Sequence, residues 1–417
     1  MKKPFAPLLL LISLHSFAAD RMFHPDSAYK HSVALNSEYF FSSNAITNRF
    51  ASAYLLGKFI DDNMKDDVCN KLASLNRFGA GFKTELQYTS SNDTVFSIPK
   101  SFFSVTLGEN FHINSRFGKD VFELYFRGNK DYAGKTADLG KFVYNQLVWQ
   151  NANFTFGHDF RRDLNHFGYS AGISLIKGQK LYHISSSHAS LFTEEYGSYL
   201  DLNAEISIRQ SDSAKSKFIS WNGTGTSANG SFYWQDKNQN TLSITANNIG
   251  FIQWNKNSSF VKADTSFRFE GVDVSNLFDL SDSVTKNVSL DSSLVEPYLS
   301  SRVKKSFLSP LPALVNVSYQ YILSPGKSDL VADVRYLFYA ESTLEESITF
   351  NYTLKSTHRF SVKARYGGYS GFQVGLGYKS WLFNRIMLTI QSDYISSLLN
   401  TKNGTGQGAF VSLSTYF

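Results

Sequence analysis

The chain of 417 residues carries 41 Lys and Arg against 35 Asp and Glu, and 42% of its residues are hydrophobic. The resulting charge of +6 is scattered among acidic residues without a basic block, which excludes a nucleic-acid-binding footprint. The mean hydropathy is -0.23, and no stretch after the first 20 residues approaches the roughly 18 consecutive apolar residues of a membrane helix.

The first 18 residues have the composition of an export signal. Lys2 and Lys3 precede the apolar run 7–12, and Ser16-Phe17-Ala18 offers small residues before a cleavage site. We predict a signal peptide at 1–18 and an exported chain at 19–417. Cys69 is the single cysteine, so no internal disulfide is expected.

Three stretches have helical spacing. Between Ile46 and Leu75, apolar residues recur every four positions, and Asp61-Asp62-Asn63 offers a break and an N-cap. Phe117–Phe126 is a shorter candidate, and Val272–Leu280 is a weaker one. In a barrel, such segments must lie in the lumen, across a mouth or outside the membrane.

Alternation typical of strands is irregular in the first two thirds of the chain. Apolar and polar residues alternate over 78–88, 167–175, 200–208 and 261–269, and more weakly over Ser101–Phe111 and Thr241–Asn248. Ser211–Asn240 is rich in Ser, Gly, Asn and Lys, and this composition predicts a long mobile loop.

The alternation becomes regular from Ala313 to Phe417. Segments of about ten residues follow one another with short polar links, which is the pattern of repeated hairpins in a membrane barrel. In the closing segment, Phe410, Ser412, Ser414 and Tyr416 oppose Ala409, Val411, Leu413, Thr415 and Phe417. A terminal Phe on an apolar face is a common ending of bacterial outer-membrane barrels.

A loose count gives about 17 candidate strands, and single-chain bacterial barrels have even numbers. We therefore predict an all-β fold, a transmembrane antiparallel β-barrel of 14–16 strands, preferably 14, with short helical inserts that include 46–75. A soluble sandwich alternates too, with its apolar face inward. The export signal, Phe417 and the unbroken hairpin series favour the barrel.

If Phe417 ends on the periplasmic side, the connections can be oriented. Ser396–Gln407 is then an outer loop, while Ser380-Trp381 and Lys355-Ser356-Thr357 are periplasmic turns. The outer links Glu341-Ser342-Thr343 and Gly367–Ser370 are short.

Polar residues on the face opposite the apolar one are candidates for lining the lumen. They carry both signs of charge and belong to the last five predicted strands: Asp333, Arg335, Glu345, Arg359, Lys363, Arg365, Lys379, Arg385 and Asp393. Such residues form a polar conduit or a plug-docking surface, or they simply solvate the interior. Their excess of Arg and Lys hints at weak anion preference.

An enzymatic reading rests on the His-rich segments around His158, His166, His183 and His188. Neither a G-x-S-x-G elbow nor a favourable spacing accompanies them, so no catalytic residue is predicted. The carboxylates between Asp61 and Asp67 lack EF-hand spacing and indicate a helix boundary. No metal or cofactor is predicted.

Short motifs resemble an uncharacterised family of Bacteroidota outer-membrane barrels, a domain of unknown function. They are Ala53–Asp61 with Leu75–Gly79, Gly128–Thr136, and Phe192–Leu200. The resemblance implies a barrel similar to the fatty-acid-transporter type with an N-terminal insert, and it implies no substrate and no site residues.

The sequence therefore predicts a non-enzymatic, porin-like barrel of the bacterial outer membrane that passes or binds a small solute, with a hydrophobic solute among the candidates. Its expected partners are outer-membrane lipid and, through the closing strand, the barrel-assembly machinery. The alternative is a structural component of an envelope secretion or surface-motility complex with a protein partner. An outer-membrane hydrolase ranks third.

Overall fold

The structure is a computed structural model that describes residues 29–91, 94–95, 98–212, 219–270, 302–383 and 385–417. The predicted signal peptide and the predicted helix Val272–Leu280 lie outside these residues.

Antiparallel strands dominate the described chain. Their bounds are β1 His31–Ser43, β2 Leu75–Ser90, β3 Thr94–Val95, β4 Ile98–Pro99, β5 Ser101–Gly118, β6 Lys135–Asp138, β7 Val143–Arg162, β8 Asn165–Thr193, β9 Leu200–Gln210, β10 Gly223–Gln235, β11 Thr241–Trp254, β12 Ser259–Phe269, β13 Val303–Lys304, β14 Phe307–Pro310, β15 Ala313–Ser324, β16 Ser328–Phe338, β17 Glu345–Leu354, β18 His358–Gly367, β19 Ser370–Leu382, β20 Ile386–Ser392 and β21 Gly406–Tyr416. The helices are α1 Asn48–Leu55, α2 Asp62–Cys69, α3 Lys119–Arg127 and α4 Ile395–Leu399, with a 3-10 turn at Lys130–Tyr132.

Within the described residues, fourteen of these strands form a closed barrel in the order β1, β2, β5, β7, β8, β10, β11, β15, β16, β17, β18, β19, β20 and β21. The first and last strands pair with each other, from Ser32 opposite Tyr416 to Ser42 opposite Gly406. Phe417 extends this seam, because it exchanges backbone hydrogen bonds with His31 at 2.9 and 3.0 Å. The predicted barrel and its preferred strand number are confirmed.

The two faces of the barrel strands differ in the way that lipid requires. On β17 and β18, Ile348, Phe350 and Val362 are exposed, whereas the alternating Asn351 and Arg359 are buried. A soluble sandwich would bury the apolar set instead. Apolar residues therefore form the outer belt and polar residues face inward.

The two ends of the barrel carry different connections. At the end that we call the turn end lie His31, Phe417 and short links such as 163–164, 325–327 and 355–357. At the opposite end, the loop end, lie the helices and most of the long connections, including the predicted outer loop Ser396–Gln407. The predicted turn Ser380-Trp381 is wrong in position, because β19 continues to Leu382.

Strand β8 is 29 residues long and leaves the barrel halfway. One side of β8 pairs with β7 from Asn165 to Ser185, with a bulge at Gln179, and then with β6. The other side pairs with β10 as far as Gly178 and with β9 from Tyr182 onward. With β12, strands β6 and β9 and the second half of β8 form a sheet beyond the loop end, which we call the projecting sheet. Segments 200–208 and 261–269 belong to it, so their alternation does not mark barrel strands.

The predicted loop Ser211–Asn240 is wrong over Gly223–Gln235. Residues Gly223–Gln235 form barrel strand β10, whose Ser, Gly and Asn residues suit a polar lumen rather than a loop. The weakly alternating segments Ser101–Phe111 and Thr241–Asn248 are confirmed as strands within β5 and β11.

Helices α1, α2 and α3 form where the spacing predicted them, whereas α4 lies within the predicted outer loop and was not predicted. Thr47 caps α1 by accepting the Phe50 amide at 3.3 Å, and Asp61 caps α2 by accepting the Met64 amide at 2.8 Å. Buried Phe50 and Val68 join these helices to α3. Among the described helices, none is both long and apolar enough to cross a membrane.

Replacement of Ile348 by Arg tests the assignment of the two faces. Ile348 is 60% exposed on the outer belt, and a cation there is expected to lower the free energy of unfolding by about 2–4 kcal/mol near the bilayer midplane. The matched control is Thr349→Arg on the inward face, with a smaller expected loss. Urea unfolding in lipid vesicles measures both, and a larger loss for Thr349→Arg would contradict the assignment.

Deletion of Phe417 tests the seam. The deletion removes the residue that ends the β1–β21 pairing, so we expect less protein in the membrane fraction. Phe383→Ala, which removes an aromatic ring that is 90% exposed at the same end, is the control. A normal level of the truncated chain would disprove a role for Phe417 in assembly.

Candidate functional site: the barrel interior and its mouth

Charged side chains cluster on the inner wall formed by β16 to β20. Glu345 accepts from Arg335 at 2.6 Å and from Arg365 at 3.2 Å. Asp393 accepts from Lys363 at 2.9 Å and lies 3.9 Å from Arg365. These five residues, which we call the charge cluster, join the three consecutive strands β16, β17 and β18 and the segment after β20 on the inside of the barrel.

Arg365 is the centre of the charge cluster. Its side chain is 2% exposed, touches both carboxylates, donates to the Tyr394 hydroxyl at 3.1 Å and lies 4.5 Å from the centre of that ring. Gly406 and Gly408 leave room for Tyr394, since a Cβ at either position would approach its ring to 2.3 or 3.1 Å. The cluster therefore has a fixed arrangement.

A second ion pair lies nearer the turn end. Arg359 donates to both oxygens of Asp329 at 2.8 and 3.1 Å, and Asn351 donates to the same carboxylate at 2.8 Å. Asp329 is only 1% exposed. Such a buried carboxylate needs these partners, because an unpaired charge there would cost several kcal/mol.

The structure places most of the predicted lumen residues on the inner wall. Arg335, Glu345, Arg359, Lys363, Arg365 and Asp393 are in the ion pairs above, Lys379 is buried, and Asp333 is half-buried on the inward face of β16. Arg385 differs, since it is exposed in the turn after Phe383. That turn interrupts the alternation on which its prediction rested.

Sequence reasoning missed several inner charges. Asp329 lies just before the alternating segment 330–340, although its side chain is on the same face of the strand as Asp333. Glu38 lies on β1, where no strand was predicted, and it interacts electrostatically with Lys83 and Arg335. Lys83 also contacts Glu85 at 2.6 Å. Alternation within 31–43 is the signal that would have revealed Glu38.

The opposite wall is polar but mainly uncharged. Asn110 donates to Asn151 at 2.8 Å, and Asn229 donates to Asn153 at 3.0 Å and to Ser174 at 3.1 Å. Further buried hydroxyl and amide side chains line β11 and β15: Thr241, Ser243, Asn316, Ser318 and Gln320. The described interior thus has one charged wall and one neutral hydrogen-bonding wall.

Tyr369 crosses the interior at the loop end. It belongs to the tight link between β18 and β19, yet its ring stacks on Phe40 of β1 and its hydroxyl lies 3.3 Å from His112 of β5. The same hydroxyl donates to the Ala340 carbonyl. A Cβ on Gly79 would approach the ring to 2.1 Å, so glycine is required for this position of Tyr369.

A second contact crosses beside it. Glu341, in the link between β16 and β17, forms an ion pair with Arg116 of β5 at 3.0 Å. Both links bend inward through left-handed residues, namely Glu341 (φ 49), Gly367 (φ 101) and Gly368 (φ 70). Together, Tyr369 and the Arg116–Glu341 pair, the crossbar below, bridge opposite walls of the mouth.

Apolar side chains fill another part of the interior at the loop end. Trp149, Ile176, Ile252, Trp254 and Leu311 form a buried cluster on the inward faces of β7, β8 and β11 and on the residue after β14. The Trp254 indole donates to Ser309 at 2.8 Å. This cluster lies where β8 turns away from the barrel, and it packs that side of the mouth.

The residues considered for catalysis or metal binding have other contacts. His158 stacks on Phe160 and meets Tyr169 edge-to-face on the outward side, and Arg161 donates to His166 at 2.9 Å. His183 contacts Asn145 at 2.5 Å, while His188 is exposed. Asp61 caps α2, and within the described residues no group of His, Cys, Asp or Glu could hold a metal.

A closed antiparallel barrel with an apolar outer belt and a polar interior defines a membrane β-barrel. The profile of the family of unknown function DUF5723 matches residues 23–393, and the chain belongs to that family. The bacterial group suggested by the sequence motifs stays a prediction. No curated protein matches the sequence.

Solved barrels show distant likeness in shape. The TodX deltaS2S3 mutant monoaromatic hydrocarbon channel is 9% identical, with 96% of this chain and 93% of that chain covered at a TM-score of 0.46. A Pseudomonas aeruginosa FadL homologue is 9% identical over 96% and 92% at 0.43, and the translocator domain of the Neisseria meningitidis autotransporter NalP is 7% identical over 96% and 92% at 0.36. These likenesses concern the barrel alone.

Glu345→Gln tests the charge cluster. Loss of the carboxylate leaves Arg335 and Arg365 facing each other, so we expect the free energy of unfolding to fall by about 3 kcal/mol. Glu346→Gln, on the outward face of the same strand, is the matched control and should cost less than about 1 kcal/mol. Urea unfolding in vesicles measures both, and equal effects would contradict a structural role for the cluster.

Proposed function

We propose that the protein is a non-enzymatic outer-membrane channel that passes a small solute through its polar interior. The observation that carries the proposal is the closed barrel whose described inner walls bear paired charges, amides and hydroxyls. A barrel with only a structural role gains more stability from an apolar core, because buried charges pay for desolvation. A hydrated passage needs such groups.

The long connections give the orientation. In outer-membrane barrels the short turns face the periplasm and the longer loops face outward. By that rule the loop end, with the crossbar, is the outer mouth, and Phe417 lies at the periplasmic side.

The walls favour a small hydrophilic solute. In the charge cluster, Arg335, Lys363 and Arg365 face Glu345 and Asp393, so most of the positive charge is neutralised locally. Only weak anion preference is then expected, as the sequence suggested. A hydrophobic solute would need an apolar path, and the inward apolar residues around Trp254 are packed against one another at the mouth.

The crossbar is suited to gating. Tyr369 lies on a link with two left-handed glycines. Its ring stacks on Phe40 and fits over Gly79, and its hydroxyl donates to the Ala340 carbonyl. These are a few weak contacts that a small movement of the link releases together. Arg116 and Glu341 add an ion pair that is partly exposed and therefore contributes little.

Planar-bilayer conductance tests the channel and the crossbar. Tyr369→Ala empties the space across the mouth, so we expect openings that are larger or more frequent than in the wild type. Gly79→Ala should act in the same direction, because its Cβ displaces the Tyr369 ring. Tyr366→Ala, which removes an exposed outward ring from the same hairpin, is the control and should leave the conductance unchanged.

The outcomes separate the alternatives. A barrel that stays sealed in the wild type and in both variants would disprove the channel. Swelling of barrel-containing vesicles in a small sugar, against uptake of an aromatic hydrocarbon, distinguishes a hydrophilic from a hydrophobic solute.

The projecting sheet supports a second candidate, a component of an envelope complex. Its polar face carries Asp201 paired with Arg268 at 2.7 Å and Glu205 paired with Lys262 at 3.5 Å. A photo-cross-linker at the exposed Asp264 of this face should then capture one specific protein in whole cells. Absence of any specific product would count against this candidate.

A further inference from the structure

Exposed apolar side chains concentrate where α1 ends and in the nearby α3. Tyr54, Leu55, Leu56, Phe59 and Tyr125 are 53%, 67%, 62%, 86% and 71% exposed. They are contiguous in chain or in contact, since Tyr54 and Tyr125 share a hydrogen bond. We call these five residues the apolar patch. Contiguous apolar surface of this kind marks a site of contact with a protein or a membrane.

The helices that carry the patch lie against the outside of the barrel wall. Their core includes Phe78 of β2 and Phe117 of β5. On β2, Phe78 lies on the same face as Phe82, and the neighbouring Gly79 faces inward. On β5, Phe117 lies on the same face as Phe111, and His112 faces inward. Both rings therefore point outward, and the helices cover the upper end of the lipid-facing surface.

The patch is continuous with the outer belt. Immediately below the helices, the outward positions of β2 and β5 are Ala80, Phe82, Phe111 and Ile113. On β5 the outward Ser115 lies between Ile113 and Phe117, but it is 2% exposed and donates to the Val143 carbonyl at 2.7 Å. The apolar surface thus runs from the barrel wall onto the helices without an exposed polar side chain between them on these strands.

Local geometry holds the patch outward. Gly57 is left-handed (φ 62) and reverses the chain after α1, with the Lys58 amide donating to the Ala53 carbonyl at 2.9 Å. Arg49 pairs with Asp61 at 3.2 Å and so ties α1 to the start of α2. Phe59 then stands out between the two helices, beside the exposed Lys58.

We infer that the apolar patch inserts into the leaflet at the loop end and anchors the helices to the lipid acyl chains. An amphipathic element that lies in the interface buries its apolar face at the boundary of head groups and chains, and a neighbouring Lys reaches the phosphates. The inference rests on the proposed membrane-spanning barrel but not on any solute. It makes the β1–β2 connection a membrane-bound part of the mouth.

Fluorescent labelling in vesicles tests the anchor. In a Cys69→Ser background, single cysteines at Leu56→Cys or Phe59→Cys carry an environment-sensitive NBD label, and the phospholipids carry a nitroxide near the head of the acyl chain. We expect blue-shifted emission and strong quenching at both positions. Leu175→Cys, an exposed belt position on β8, is the membrane control, and Tyr196→Cys, in the link between β8 and β9, is the water control.

The two controls separate the failures. Quenching at Leu56 and Phe59 no stronger than at Tyr196, with Leu175 quenched, would overturn the anchor and leave the barrel intact. No quenching at Leu175 would show that the barrel does not span the bilayer, and the proposed function would fail with it. Protection of the labels in cells without quenching in vesicles would assign the patch to a protein partner and overturn the inference.

Discussion

The requirement that lipid imposes on backbone polar groups governs this structure. An unpaired amide or carbonyl in hydrocarbon costs several kcal/mol, so a sheet can span the membrane only if its first and last strands meet. The pairing of β1 with β21 meets that requirement, and Phe417 and His31 complete it at the turn end. Once the circle is closed, period-two alternation places one face of every strand in lipid and the other in the lumen. The paired charges, the amide wall and the crossbar all follow from that placement.

Closure also explains why the interior can hold ion pairs at all. Arg365 loses its water here as it would in a soluble core, and Glu345, Asp393 and Tyr394 surround it and compensate for that loss. Few elements bridge the mouth. Two short links reach across to β1, β2 and β5 and bridge the described opening.

The barrel and its inner charges were predictable where alternation was regular. From Ala313 onward, short links keep the register in phase, and parity alone placed Arg335, Glu345, Arg365 and Asp393 on one face. Prediction failed where a turn shifts the inward–outward alternation, and where strands inside and outside the barrel wall have the same alternation. Arg385 follows a turn that resets the parity, and β10 resembles a loop because a polar lumen accepts Ser, Gly and Asn. Strands β9 and β12 alternate as barrel strands do, but only the tertiary pairing shows that they leave the wall. Tyr369 could not be foreseen, because its position depends on Gly79, some 290 residues earlier in the chain.

The length of β8 has a mechanical consequence. At about 3.3 Å per residue, its 29 residues form a single hydrogen-bonded rod of roughly 95 Å, longer than the bilayer is thick. The pairing of β8 is irregular at Gln179, next to the packed tryptophans of the mouth, and again between Ser186 and His188. A force applied to the half of β8 that pairs with β9 and β6 is therefore transmitted along the same strand to the barrel wall beside the mouth.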